Sequence, residues 1–161
     1  MDKLWYFIKH AKDVYKYKIL IYFLIGFVLS LIPRENKIFN SASSLFSALI
    51  VVEIAFIAIF YSDSTGTKKA KEYEWKKIGE EKLTFYYYLL VKNYHSLIVK
   101  FIVLILIFSM NIYNINWEFK ISFLVINYEN LVFSMIVYSI LVTLDLMLSM
   151  YYFLWGSGKE N

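Results

Sequence analysis

The chain has no cysteine, one proline, five glycines and two histidines among its 161 residues. Without cysteine there are no disulfides, no thiolate nucleophiles and no Cys-based metal sites. The four-span membrane oxidoreductases that work through paired cysteines are excluded on the same ground. His10 and His95 lie far apart, with no ligand-spaced partner, and each reads as an interfacial side chain rather than a metal ligand. The single Pro33 and the few glycines leave little to interrupt a helix. There is no glycine-rich phosphate loop, no metal-ligand motif and no potassium-filter sequence of the Thr-Val-Gly-Tyr-Gly type. No serine stands in a hydrolase-like turn, and no Ser–Lys or Ser–His pair is marked by spacing. These absences point away from an enzyme and call for no cofactor and no metal.

Apolar residues make up 60% of the chain and aromatics 20%, with a mean hydropathy of +0.53. Soluble domains carry about 45–50% apolar residues. The apolar residues also fall in long runs, which read as membrane spans rather than as the core of a soluble helical protein. Lys, Ile, Asn and Tyr are favoured over Arg, Ala and Pro, the bias of an AT-rich bacterial or phage genome.

The stretch from Ser62 to Asn93 divides these runs. Its first two-thirds, SDSTGTKKAKEYEWKKIGEEK, hold the only dense block of charge. On its N-terminal side, residues 1–18 read as a basic amphipathic helix. Leu4, Phe7, Ile8 and Ala11 follow helical spacing, and Trp5, Tyr6 and Lys9 suit an anionic membrane surface. The alternative is a solvated lead-in to the first span. Spans are expected at about 19–33, 44–61, 94–112 and 131–155. The first could also be read as a signal peptide, but Arg34, Glu35 and Lys37 crowd the place where a cleavage site would begin, which favours an uncleaved span. Residues 121–126 are an apolar run too short to cross.

Within the divider, Lys68–Lys82 reads as a charged helix. Lys68–Glu72, Glu72–Lys76 and Lys77–Glu81 are spaced i,i+4 with opposite sign, each worth about 0.2–0.5 kcal/mol. Trp75, Ile78, Lys82, Phe85 and Leu89 share one face, free to lie on the membrane or on a partner helix. The expected fold is all-α: one transmembrane domain, a four-helix bundle of two transmembrane hairpins with a cytoplasmic charged helix between them. Lysines cluster before the first span and in residues 62–93, whereas the two opposite loops hold only Arg34, Lys37 and Lys120. This places both termini and the connector in the cytoplasm of a bacterial inner-membrane protein.

Three ionisable residues fall inside the expected spans: Glu53, Lys100 and Asp145. Each costs about 2.5–3.5 kcal/mol on insertion scales, so such groups face a protein interior or a hydrated path. At helical rise Glu53 lies roughly 12 Å, Asp145 roughly 15 Å and Lys100 roughly 6–9 Å above the cytoplasmic boundary. With the reach of the lysine stem, all three can meet at one level. They read either as a structural ion pair that fixes helix register or as the lining of a path for protons or cations. Two acids and one base leave one carboxylate without a lysine. Ser30, Ser47, Ser109, Ser134, Ser139, Thr143 and Ser149 read as hydroxyls bonded to their own backbone or to a neighbouring helix.

Over Ser44–Lys82, a second span (LFSALIVVEIAFIAIFY) runs directly into a basic helix (STGTKKAKEYEWKK). In this the chain resembles small phage-exclusion membrane proteins of the lambda RexB type, which share its length and four-span plan. The resemblance implies an inner-membrane protein of phage defence that opens an ion-permeable path when a cytoplasmic partner senses infection. It carries over no site residue. The leading expectation is therefore an oligomeric, membrane-permeabilising effector in the lipid bilayer, with a cytoplasmic protein partner and no nucleic acid. A non-conducting anchor or immunity subunit docking through Trp75, Ile78 and Phe85 is the second reading. A small proton-coupled transporter using Glu53 is the third.

Overall fold

The computed structural model describes residues 14–15, 17–32, 37–61, 65–78, 81–113, 115, 117–121 and 124–156. Most of them lie in five helices: α1 (Lys18–Ser30), α2 (Lys37–Tyr61), α3 (Thr65–Glu72), α4 (Phe85–Tyr113) and α5 (Tyr128–Gly156). Two antiparallel hairpins join them, β1 (Glu74–Ile78) with β2 (Glu81–Thr84) and β3 (Glu118–Ile121) with β4 (Leu124–Asn127).

Three helices are long and apolar enough to cross a membrane: Lys37–Ala58 with 22 residues, Phe85–Tyr113 with 29 and Tyr128–Tyr151 with 24. At 1.5 Å per residue even the shortest of these exceeds the hydrocarbon thickness of about 30 Å. Helix α1 is apolar but has only 13 residues, or about 20 Å. The mostly helical, all-α class thus stands, with three helices long and apolar enough to cross a membrane and one shorter apolar helix.

The helices begin earlier than the apolar runs alone indicate. Helix α4 starts at Phe85 rather than near Tyr94, because no proline or glycine interrupts Phe85–Asn93. Helix α5 starts at Tyr128 rather than Leu131. Asn127 caps it, its Oδ1 accepting the Asn130 backbone N–H at 2.8 Å, as expected of an N-cap amide.

The charged helix expected over Lys68–Lys82 is corrected. Helix α3 ends at Glu72, and Glu74–Thr84 fold back as the β1–β2 hairpin. The i,i+4 ion pairs offered only a few tenths of a kcal/mol each, and Gly79 alone costs a helix about 1 kcal/mol. Against them stands a packing gain. Trp75 stacks on Tyr88 of α4 with ring centroids 4.1 Å apart, a contact worth about 0.5–1.5 kcal/mol beyond its buried area. The short apolar run at 121–126 is likewise part of a hairpin, with Phe119 opposite Ile126 and Ile121 opposite Leu124.

Two apolar clusters hold the helices together. One joins Phe39, Ala42 and Phe46 of α2 to Val99, Val103 and Ile107 of α4 and to Val132, Ile136 and Val142 of α5. The other joins Val14 and Tyr15 to Phe85, Tyr88, Leu89 and Val91 of α4 and Leu146 of α5. Outward faces are apolar as well: Val51, Val52, Phe101, Ile105, Phe108, Leu144 and Leu148 are all exposed. Glu53, Lys92, Asn93, Ser96, Lys100, Ser139, Thr143 and Asp145 are instead buried. An apolar exterior around a polar interior is the arrangement a protein adopts with lipid as its solvent.

Helices α1 and α5 meet at Gly26. A Cβ placed there would stand 2.5 Å from the carbonyl oxygen of Ser134. Only a residue without a side chain allows this approach, the use of small residues expected at helix contacts in membranes.

Candidate functional site: two buried charge clusters

The polar interior lies on α4 between the two apolar clusters. Lys92, Asn93, Ser96 and Lys100 are all buried there. Lys92, Ser96 and Lys100 recur at four-residue steps, and Asn93 sits beside them, so one face of α4 is a polar stripe. Opposite it stand Glu53 of α2 and Ser139, Thr143 and Asp145 of α5, all buried.

The first cluster pairs Lys100 with Glu53, Nζ to Oε1 at 2.7 Å, with side-chain exposures of 0% and 7%. The same ammonium donates to Ser96 Oγ at 2.6 Å and to Thr143 Oγ1 at 2.6 Å. Ser96 Oγ donates to Glu53 Oε1 at 2.8 Å, and Asn93 Nδ2 to the Glu53 backbone carbonyl at 3.2 Å. Such charge-assisted contacts between buried groups are strong while complete and costly when one partner is removed.

The second cluster is centred on Asp145. Lys92 Nζ lies 2.6 Å from its Oδ2 and Lys18 Nζ 2.7 Å from its Oδ1. Lys92 also donates to Ser149 Oγ at 2.7 Å and sits 4.7 Å from the centre of the Tyr88 ring. Lys18 comes from the start of α1, and its side chain is 47% exposed. Beside this cluster Tyr15 donates to the Lys92 carbonyl at 3.3 Å.

Of the three residues marked in the sequence, Glu53 and Lys100 come together and Asp145 does not join them. The count of two acids to one base is corrected, because Lys92 is a second buried base. It had been counted as a cytoplasmic charge, since the third span was expected to begin after it. The signal that identifies Lys92, Asn93 and Ser96 is their four-residue recurrence with Lys100. A second correction concerns serine: Ser96 and Lys100, one turn apart, do form a Ser–Lys contact. An ammonium held by Glu53 has no lone pair with which to act as a base toward Ser96.

The other expected residues fall elsewhere. Trp5, Lys9 and His10 lie outside the described residues. Trp75 is half-buried on Tyr88, and Phe85 is buried in the second apolar cluster against Tyr88 and Leu89. The docking face assigned to them is turned into the chain's own packing. Ile78 lies in strand β1 rather than in a helix. His95 is half-buried, with Nε2 2.7 Å from Tyr138 Oη and its ring 4.5 Å from that of Tyr15. Ser30, Ser47, Ser109, Thr143 and Ser149 each bond a carbonyl one turn back, at 2.7–2.9 Å. No group of three or more metal-binding side chains occurs among the described residues. A cavity of about 530 Å³ lies at the α4–α5 connection, lined by residues that include Trp117, Glu118 and Glu129, and shares no residue with either charge cluster.

No family model, no curated protein and no solved structure matches the chain.

Proposed function

We propose that the protein is a small inner-membrane effector that passes protons or small cations through its polar interior, and that the form described is the closed one. One observation carries this reading: two carboxylates and two lysines are buried side by side between helices long enough to cross a membrane. Each such group is expensive in lipid. Apolar side chains of similar volume would pack as well or better. Intramembrane charges that persist despite this cost line ion and proton pathways. In the closed form each ammonium neutralises a carboxylate, and opening requires the pairs to separate.

In this proposal α1 and its flanking residues supply a fourth span. The N-terminus, the α3 and β1–β2 connector and the C-terminus face the cytoplasm. The burial of Lys92 removes one charge from the connector, but Lys68, Lys69, Lys71, Lys76, Lys77 and Lys82 still outweigh Arg34, Lys37 and Lys120. Self-assembly and a cytoplasmic partner that triggers opening belong to the same proposal, as does the role in phage defence implied by the plan-level resemblance.

Completeness of both ion pairs within one chain favours a second reading, a non-conducting membrane subunit whose charges only fix helix register. Membrane potential after induced expression, read with a voltage-sensitive dye, separates the two. Depolarisation by the wild type that is lost in Glu53→Gln at equal membrane levels is the expected result. Depolarisation that persists in Glu53→Gln and Asp145→Asn moves the path away from these clusters. Cells that keep their potential with the wild type, Glu53→Gln, Asp145→Asn and Lys92→Met alike leave two readings, the non-conducting subunit and a path still closed for want of its cytoplasmic trigger.

A further inference from the structure

We propose that Glu53, Ser96 and Thr143 form a binding site for one ammonium-sized monovalent cation, and that the chain fills this site with its own Lys100. The site goes beyond the conduction reading, since it would exist equally in a non-conducting subunit.

An ammonium has three protons and no lone pair. Lys100 directs its three protons to three oxygens: Glu53 Oε1 at 2.7 Å, Ser96 Oγ at 2.6 Å and Thr143 Oγ1 at 2.6 Å. A hydroxyl has a single proton to donate. Ser96 gives its proton to Glu53 Oε1 at 2.8 Å, and Thr143 gives its proton to the Ser139 carbonyl at 2.8 Å. The lone pairs of both hydroxyls therefore face the ammonium, together with a carboxylate. Such a set attracts positive charge whatever group carries it.

Size and charge narrow the class. Oxygen separations of 2.6–2.7 Å are longer than the roughly 2.0–2.1 Å taken by Mg²⁺ and lie at or above the upper end of the roughly 2.3–2.6 Å taken by Ca²⁺. One carboxylate balances one positive charge, and a divalent ion would leave the interior charged. Ammonium and potassium are the candidates that fit. A further acceptor is in reserve. Glu53 Oε2 is buried and has no partner among the described residues, in a side chain only 7% exposed. A tethered head with three protons has already spent them, whereas a free ion or its water can engage this oxygen too.

The test uses the full chain purified in detergent, with thermal unfolding followed in ammonium, potassium and choline chloride at equal concentration. Lys100→Ala removes the tethered occupant. Its unfolding midpoint is expected to rise by roughly 4 °C or more from choline to ammonium or potassium, and to saturate with concentration. The wild type, its site filled, is expected to unfold at one temperature in all three salts. Glu53→Gln combined with Lys100→Ala is expected to lose the response. Equal midpoints for Lys100→Ala in all three salts would overturn the site, as would a shift that survives in the double variant. Should Lys100→Ala aggregate on extraction into choline, extraction into ammonium decides: monodisperse protein in ammonium alone supports the site, and aggregation in both overturns it.

Discussion

The Glu53 and Asp145 clusters use the same chemistry at different degrees of enclosure. Glu53 meets one lysine, and neither side chain is more than 7% exposed. Asp145 meets two, Lys92 at 1% exposure and Lys18 at 47%. The first is a closed unit in which loss of the ammonium strands a carboxylate. The second has a spare base at the protein surface. The enclosed pair therefore governs stability, and the open one is the place where salt or a partner can act.

The comparison breaks most visibly at Lys100. Lys100→Met leaves Glu53 buried without its counter-charge and is expected to cost about 3–5 kcal/mol, the usual price of halving a buried pair. Adding Glu53→Gln should restore much of that loss, and chemical unfolding of both single variants and the double reads the coupling directly. If the double variant is no more stable than Lys100→Met, the pair is not the enclosed unit described.

A smaller effect is expected at Gly26. Gly26→Ala forces α1 away from Ser134 and should cost about 1–3 kcal/mol, as overpacking does. Because α1 carries Lys18, the change should disturb Asp145 and spare Glu53. Combined with Lys18→Met it should cost less than the two changes summed, whereas combined with Lys100→Met the costs should add. Additive costs in both combinations would separate α1 from the Asp145 cluster.

The least effect is expected from Lys18→Met itself. A half-exposed partner contributes about 0–1 kcal/mol. The loss should fade as salt is raised, because exposed charges are screened. A larger, salt-independent loss would mean that Asp145 depends on Lys18 as strictly as Glu53 depends on Lys100.

Much of this architecture was legible in the residues. Run length alone separates α2, α4 and α5 from the rest. Glu53, Lys100 and Asp145 stand out because charge inside an apolar run is rare. The partner of Asp145 was hidden by a boundary. Phe85–Asn93 is aromatic and flanked by charge, so Lys92 reads as the end of a connector when it is the first step of a polar stripe inside α4. The β1–β2 hairpin was hidden by degeneracy. Alternating Lys and Glu satisfies an i,i+4 helix pattern and a strand equally well, and the stacking of Trp75 on Tyr88 that decides between them is tertiary. The role of Ser96 needed three helices in place before its lone pair could be assigned.

The pairing of Glu53 with Lys100 also has a consequence in time. The two residues are 47 positions apart, with Glu53 first. At about 5–20 residues per second a ribosome needs roughly 2–9 s to make that stretch. During those seconds the carboxylate of α2 exists without the lysine that will neutralise it. A nascent α2 therefore either carries Glu53 protonated into the bilayer or waits at the insertion machinery for α4. Asp145 has no such wait, because Lys18 and Lys92 are both synthesised before it.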